Sequence, residues 1–404
     1  MKNSYLQLLF VLLMLSASAR AQCPSGRYVS KIFPNITMTT VEYSPVYHQM
    51  MDIYQPTGDT MSARPLIILA HGGSFITGNG DRTNDPTVDS LCIRFAKRGY
   101  VTVSIDYRTT VYSSMVGADS TPAINEVIMA ISDGKAAIRY FMKDRATTNT
   151  YKIDTNNIFA GGNSAGAVLY MHVGYLDSIQ ECPAHIQTAM AANGGFEGNS
   201  GNAGYTTRTK GIINLAGALN NASFISPGNK PSVNCQGDAD PVVPYSCGYP
   251  LYGFCKVTLC GLGSLEPAYT ANGIYHMSKI FPGDTHVPWS TNIPKMNSVD
   301  SIVTVFLYSL VCSGSSAAVN QVNLHPEVTI FPNPASEVLN VAAAQSVNSI
   351  LLYDETGRTI IQKNEVNREN VEINTSNLSK GIYFVRIRFT DANNTQIIRK
   401  VVIE

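Results

Sequence analysis

The chain has 404 residues, 44% hydrophobic and 14% charged, and its 29 Lys and Arg cancel 29 Asp and Glu for a formal net charge of zero. At roughly 150 residues per domain that length suggests two or three domains, and the missing basic excess argues against a nucleic-acid partner. No apolar run reaches the ~18 to 20 residues needed to cross a bilayer, so no stable membrane span is expected.

The chain opens on what reads as an export signal over residues 1–21. Met1-Lys2 is the positive end, Leu6 to Leu15 is apolar except for Gln7, and Ala19-Arg20-Ala21 supplies small residues where a signal peptidase cuts. From Tyr28 to about Tyr308, short apolar runs alternate with longer segments of helical period. That pattern predicts an α/β fold with a mostly parallel central sheet and helices on both faces. Predicted strands are Leu66 to Ala70, Val101 to Ile105, Asn157 to Ala160, Ile212 to Leu215, Ser232 to Cys235 and Ser278 to Phe281. Predicted helices are Val88 to Arg98, Ile124 to Lys143, Ala167 to Tyr175 and Val299 to Leu310, the last closing a domain assigned to residues 22–312.

Small polar residues from Ser313 to Ala318 open a linker assigned to 313–325. A second unit, 326–404, has no cysteine, nine Asp and Glu, eight Lys and Arg, and short alternating runs separated by turn residues. Its predicted strands are 338–341, 350–353, 359–362, 371–373, 382–389 and 397–403. In the fifth, Tyr383, Val385, Ile387 and Phe389 share one face and Arg386 and Arg388 the other. A small β-sandwich is expected.

All eight cysteines follow the signal, and an even count in an exported chain suits disulfides without fixing their pairing. Cys235, Cys247, Cys255 and Cys260 fall in one 26-residue stretch but lack paired C-x-x-C spacing, so they read as disulfide bracing of a long loop rather than a zinc site. Cys92 and Cys312 read as buried helix residues. No metal and no other cofactor is expected.

The chemistry is carried by Gly162-Asn163-Ser164-Ala165-Gly166, a G-x-S-x-G word standing where a predicted strand gives way to a predicted helix. A serine on so sharp a turn needs small residues two before and two after it, and Gly162 and Gly166 supply them. Its hydroxyl needs a base, and the base needs a carboxylate to fix its tautomer. In this arrangement the acid follows the serine and the histidine follows the acid. Of seven histidines, His48, His71, His172 and His185 come too early, His276 precedes the last predicted strand, and His325 lies in the linker. His286 remains, in a turn-rich loop at a strand's carboxyl end. For the acid, Asp238 and Asp240 leave one strand two residues apart and spacing does not choose between them, while Asp284 is a weaker third candidate. The oxyanion needs fixed N–H donors, each worth about a hundred- to a thousand-fold in rate. Gly73 and Ser74, just after a predicted strand, and Ala165, after the serine, are the candidates. His71 reads as a brace for that loop.

With these residues in hand, the chain from about 40 to 312 resembles the α/β-hydrolase esterases and lipases, in particular the carboxylesterase and hormone-sensitive-lipase-like branch. The matching words are His71-Gly72-Gly73-Ser74-Phe75, Ile105-Asp106-Tyr107-Arg108, Asp133 to Arg139, Gly161 to Gly166, Gly237 to Pro244 and His286-Val287-Pro288-Trp289. The resemblance implies that Asp240, before Pro241-Val242-Val243-Pro244, is the acid. Ser74 stands where the family usually has a third glycine, and no long helical lid is evident; Asn193 to Gly204 reads as a mobile rim at most. The last 79 residues are similar to the type A sorting domain of the type IX secretion system of Bacteroidetes, through Ile330 to Ala335, Leu352 to Arg358, Leu378 to Val385 and Lys400 to Glu404.

The expectation is a serine ester hydrolase, secreted or held at the cell surface after passage through the periplasm. Ser164, His286 and Asp240 are its catalytic set, and Gly73, Ser74 and Ala165 its oxyanion donors. Its partners would be the type IX machinery and an ester substrate, polymeric if export is for a purpose: an acylated or feruloylated polysaccharide, or a polyester. A serine peptidase on the same scaffold and a non-catalytic surface-binding protein are the competing readings.

Overall fold

Buried aliphatic strands form the centre of an eight-stranded sheet. The computed structural model describes residues 23, 26–312, 328–354, 358–364, 366–390 and 396–404; the expected signal and linker lie outside them. The sheet contains β1 (Ile36–Ser44), β2 (Gln49–Pro56), β3 (Arg64–Ala70), β4 (Val101–Ile105), β5 (Ile153–Asn163), β6 (Gly211–Leu215), β7 (Ser232–Gly237) and, after a two-residue ladder of β8 (Cys247–Gly248) with β9 (Leu259–Cys260), β10 (His276–Phe281). Their order is β1-β2-β4-β3-β5-β6-β7-β10. The β1–β2 and β2–β4 pairs are antiparallel and every other pair is parallel.

Every residue of β3, β4 and β6 is buried, because parallel strands are covered on both faces and have no solvent side. The period of two sorts β3 between two cores. Leu66 and Ile68 pack with Ile131 and Phe141 of α3 (Thr121–Ala146) and Val168 of α4 (Ala165–Tyr175). Ile67 and Leu69 pack with Leu91 and Phe95 of α1 (Pro86–Ala96) and Val303 and Phe306 of α7 (Ile293–Cys312). On that second face, Arg98 donates to Asp300 at 2.7 and 2.8 Å and joins the end of α1 to α7. The shorter α2 (Tyr112–Met115), α5 (Ala184–Ala192) and α6 (Leu262–Ala271) complete the helices.

Two cysteine expectations are corrected. Cys312 is not simply a buried helix residue: it is bonded to Cys23 across 289 positions, joining the start of the described chain to the end of α7. Of the four clustered cysteines only Cys247 and Cys260 pair, closing β8 against β9. Cys235 is held on β7 inside the second core, and Cys255 packs in the first, so both thiols stay free, as do buried Cys92 and Cys182. Burial pushes the Cys235 thiol up to about 12, which leaves it unreactive.

The remaining strands form a separate compact unit: β11 (Val328–Phe331), β12 (Val338–Asp354), β13 (Thr359–Lys363), β14 (Arg368–Asn374), β15 (Gly381–Phe389) and β16 (Gln396–Ile403). The expected sandwich is one curled antiparallel sheet. Its long strand β12 pairs with β11 and β14 along its first part, breaks register between Ala342 and Val347, and pairs with β13 and β15 beyond. The two predicted strands 338–341 and 350–353 are therefore one bent strand. Tyr383, Val385, Ile387 and Phe389 are buried in this unit's core, on the face expected.

Candidate active site

Strand β5 ends at Asn163 and α4 begins at Ala165, so the reversal falls on Ser164 alone, at φ 53° and ψ −117°. Positive φ in a residue with a Cβ costs of order 1–3 kcal/mol and persists only where packing enforces it. The packing is visible at the flanking glycines. A Cβ on Gly166 would stand 2.1 Å from the Ala70 carbonyl oxygen, and one on Gly162 would stand 2.4 Å from the same atom. Helix and strand approach so closely that only glycine fits at either position.

Four segments then converge. His286, in the loop after β10, places Nε2 2.7 Å from Ser164 Oγ and Nδ1 2.7 Å from Asp240 Oδ2. The Asp240 side chain is 0% exposed, and its other oxygen accepts the N–H groups of Val242 and Val243 at 2.9 and 3.0 Å. A buried carboxylate is tolerable when its lone pairs are so occupied. The three acid candidates separate by partner. Asp238 accepts from Gly283 N–H at 2.6 Å and holds the His286 loop, while Asp284 is paired with Lys295 at 2.5 Å. Asp240 alone reaches the imidazole.

The loop after β3 lies beside Ser164. Gly73 has φ 117°, Ser74 58° and Phe75 60°, three consecutive residues in the left-handed region. This winding leaves the N–H groups of Gly73 and Ser74, like that of Ala165, with no acceptor among the described residues. His71 stacks on Tyr107 with centroids 4.3 Å apart and lies 2.5 Å through Nδ1 from the Gly72 carbonyl oxygen. Burial lowers its pKa, so it is neutral.

Sequence reasoning missed Asp85. One oxygen caps α1 by accepting from Thr87 and Val88 N–H, and the other accepts Gly72 N–H at 2.8 Å and Asn163 Nδ2 at 3.0 Å. One carboxylate thus ties the glycine loop, the residue before Ser164 and a helix start together. The signal was present: Asp85-Pro86 is a cap residue followed by proline at the first helical position. Asp85→Ala removes a cap worth about 1 kcal/mol and strands buried donors at about 1–3 kcal/mol. Denaturant unfolding is expected to show a loss of about 2–4 kcal/mol.

Two recesses meet at Ser164. One is an apolar cleft of about 1050 Å³ including its open mouth, walled by α3, α5 and the segment 250–259. The other, about 750 Å³ including its open mouth, is the more polar of the two, lined by Gly72 to Ser74, Asn79, Asn84, Asn163 and His286 beside Pro86, Val242 and Val287. The expected mobile rim is corrected here. Ser200 is fully buried, bonded to Asp133 at 2.5 Å and to Ser132 at 2.7 Å, and the Phe196 carbonyl accepts from Lys135 Nζ. Glycines at 194, 195, 198, 201 and 204 serve the turns of an anchored wall, each at positive φ. Among the described residues, no group of three or more His, Cys, Asp or Glu is placed to hold a metal ion, and no helix is long and apolar enough to cross a membrane.

Comparison with known proteins is consistent with this picture. Residues 51–218 match the BD-FAE family, and residues 329–404 match the secretion system C-terminal sorting domain. Among solved structures, a thermophilic esterase from the Planctomycetes species Thermogutta terrifontis, in its native form, aligns at 17% identity with a TM-score of 0.50, covering 73% of this chain and 99% of that one. Thermogutta terrifontis esterase 2 phosphorylated by paraoxon aligns at 17% identity and 0.50, covering 69% and 96%. At that identity the likeness establishes the fold. No curated protein matches the chain by sequence.

Proposed function

We propose that this chain, an α/β-hydrolase of the esterase type followed by a type IX secretion sorting domain, is a serine hydrolase that cleaves carboxylic esters outside the cell through an acyl-enzyme. The observation that carries the reading is the unbroken run Asp240–His286–Ser164, with both contacts at 2.7 Å. His286 Nε2 takes the hydroxyl proton as Ser164 Oγ attacks the ester carbonyl, and Asp240 keeps the proton on Nδ1 and stabilises the imidazolium. The Gly73, Ser74 and Ala165 N–H groups receive the oxyanion, where preorganised donors act without reorganisation. Collapse expels the alcohol, which takes the proton from His286. Water, activated by the same imidazole, then frees the acid.

The sorting domain implies export. With the signal at 1–21 it suggests a route through the periplasm and a substrate too large to import, such as an acylated or feruloylated polysaccharide or a polyester. The test is hydrolysis of p-nitrophenyl acetate beside a dipeptide p-nitroanilide. Turnover of the ester at least a thousand-fold above the anilide in kcat/KM is expected. The reverse preference would assign a peptidase, and no turnover of either would assign a binding protein.

A further inference from the structure

The two recesses have different chemistry, and only one contains the imidazole. His286 lines the polar recess and is absent from the walls of the apolar cleft, whereas Ser164 and Ser74 line both. In the acyl-transfer step the Ser164 Oγ–carbonyl bond forms, the carbonyl–alcohol bond breaks, and the proton held on His286 Nε2 passes to the departing oxygen. That oxygen must therefore lie on the His286 side. The carbonyl substituent is left facing the other recess.

The apolar cleft is furnished for hydrocarbon. Ile124, Ile128 and Ile131 of α3, Ile186 and Met190 of α5, and Phe224 supply its walls. Its buried polar side chains are already occupied. His172 lies with Nδ1 2.8 Å from the Val168 carbonyl oxygen and accepts Asn220 N–H on Nε2 at 3.1 Å, and burial lowers its pKa so that it stays neutral. Ser132 Oγ accepts from Asn199 and Ser200 N–H at 2.9 and 3.2 Å and bonds Ser200 Oγ. The side-chain N–H of Asn220 goes to the Thr258 carbonyl. A hydroxyl carried in beside His172 and Ser132 finds both already engaged, and burying one unpaired costs about tenfold or more in binding. The polar recess, with Asn79, Asn84, Asn163 and Ser290 along it, suits a hydrated alcohol.

Resting on the ester-hydrolase reading, we infer that the enzyme divides its substrate by polarity: an unsubstituted hydrocarbon acyl group longer than four carbons enters the cleft of α3 and α5, and a hydrophilic alcohol occupies the recess beside His286. The acyl group is selected by burial, so each added methylene raises kcat/KM by up to about fourfold until the cleft is filled. A 4-hydroxycinnamoyl group is disfavoured against plain cinnamoyl by about tenfold, which narrows the proposed substrates to acylated rather than feruloylated polymers.

The test uses the full chain with p-nitrophenyl acetate, butyrate and octanoate, then methyl cinnamate beside methyl 4-hydroxycinnamate. Octanoate is expected to exceed acetate at least tenfold in kcat/KM, and cinnamate to exceed its hydroxylated counterpart. Ile128→Trp, which fills the cleft from α3, is expected to lower the octanoate-to-acetate ratio at least tenfold. A thermal midpoint confirms that the variant is folded, and Ile128→Phe replaces it if it is not. Acetate turnover with octanoate no faster, or a preference for the hydroxylated cinnamate, overturns the division by polarity and leaves ester hydrolysis standing. No turnover of any ester, with the protein folded, removes both.

Discussion

Ser164→Ala is expected to lower kcat on p-nitrophenyl esters by about 10⁴- to 10⁶-fold while leaving the unfolding transition nearly unchanged. Among the described residues the hydroxyl makes one hydrogen bond, to His286, so little folding energy goes with it. The left-handed backbone at this position, φ 53°, is as strained for alanine as for serine and is imposed by the neighbouring glycines and Ala70. Rate and stability therefore separate. The residual rate over water measures what the Gly73, Ser74 and Ala165 donors contribute when no nucleophile is present. A variant that keeps more than a tenth of wild-type kcat would mean that water or another side chain attacks the ester.

Asp240→Asn is the second large effect. The amide preserves shape and can still accept from Val242 and Val243 N–H, but its NH₂ can face Nδ1 and favour the tautomer that protonates Nε2. The base is then blocked at the atom 2.7 Å from Ser164, and a fall in kcat of about 10⁴-fold is expected with KM little changed. Asp238→Asn is the control. Its carboxylate holds Gly283 N–H, so that variant is expected to lose about 1 kcal/mol of stability and less than tenfold in kcat. Equal losses in the two variants would show that the loop, and not the tautomer, is what these carboxylates govern.

Much of this was readable from the chain because its strands are buried on both faces. Runs such as Leu66 to Ala70 and Val101 to Ile105 have one reading when no solvent face interrupts them, and the structure extends β3 by only two residues at its start. The N-terminal hairpin was not readable. β1 is an edge strand, rich in threonine and exposed at Thr37, Met38, Thr39 and Thr40, so neither periodicity nor apolar density marks it. The bend in β12 was missed for a related reason: the break between Ala342 and Val347 resembles a turn in sequence, yet the strand runs on through it and pairing with β14 resumes at Val347. The segments bringing Ser164, Asp240 and His286 together were legible because chain order and elimination leave few candidates. The choice of Asp240 over Asp238 came from resemblance alone, since spacing does not separate them and only the partner each finds does. Asp85 escaped because a cap residue can be recognised from its neighbours, whereas a carboxylate that also reaches Gly72 and Asn163 depends on contacts far along the chain.

In the proposed mechanism Ser164 is the one hydroxyl that His286 activates. Reaction of the full chain with a fluorophosphonate, followed by peptide mass mapping, addresses that directly. A single adduct on the peptide containing Ser164, formed at least a hundred-fold more slowly in His286→Ala, is the result predicted. An adduct on another residue, or none in protein that still turns over p-nitrophenyl acetate, would contradict it.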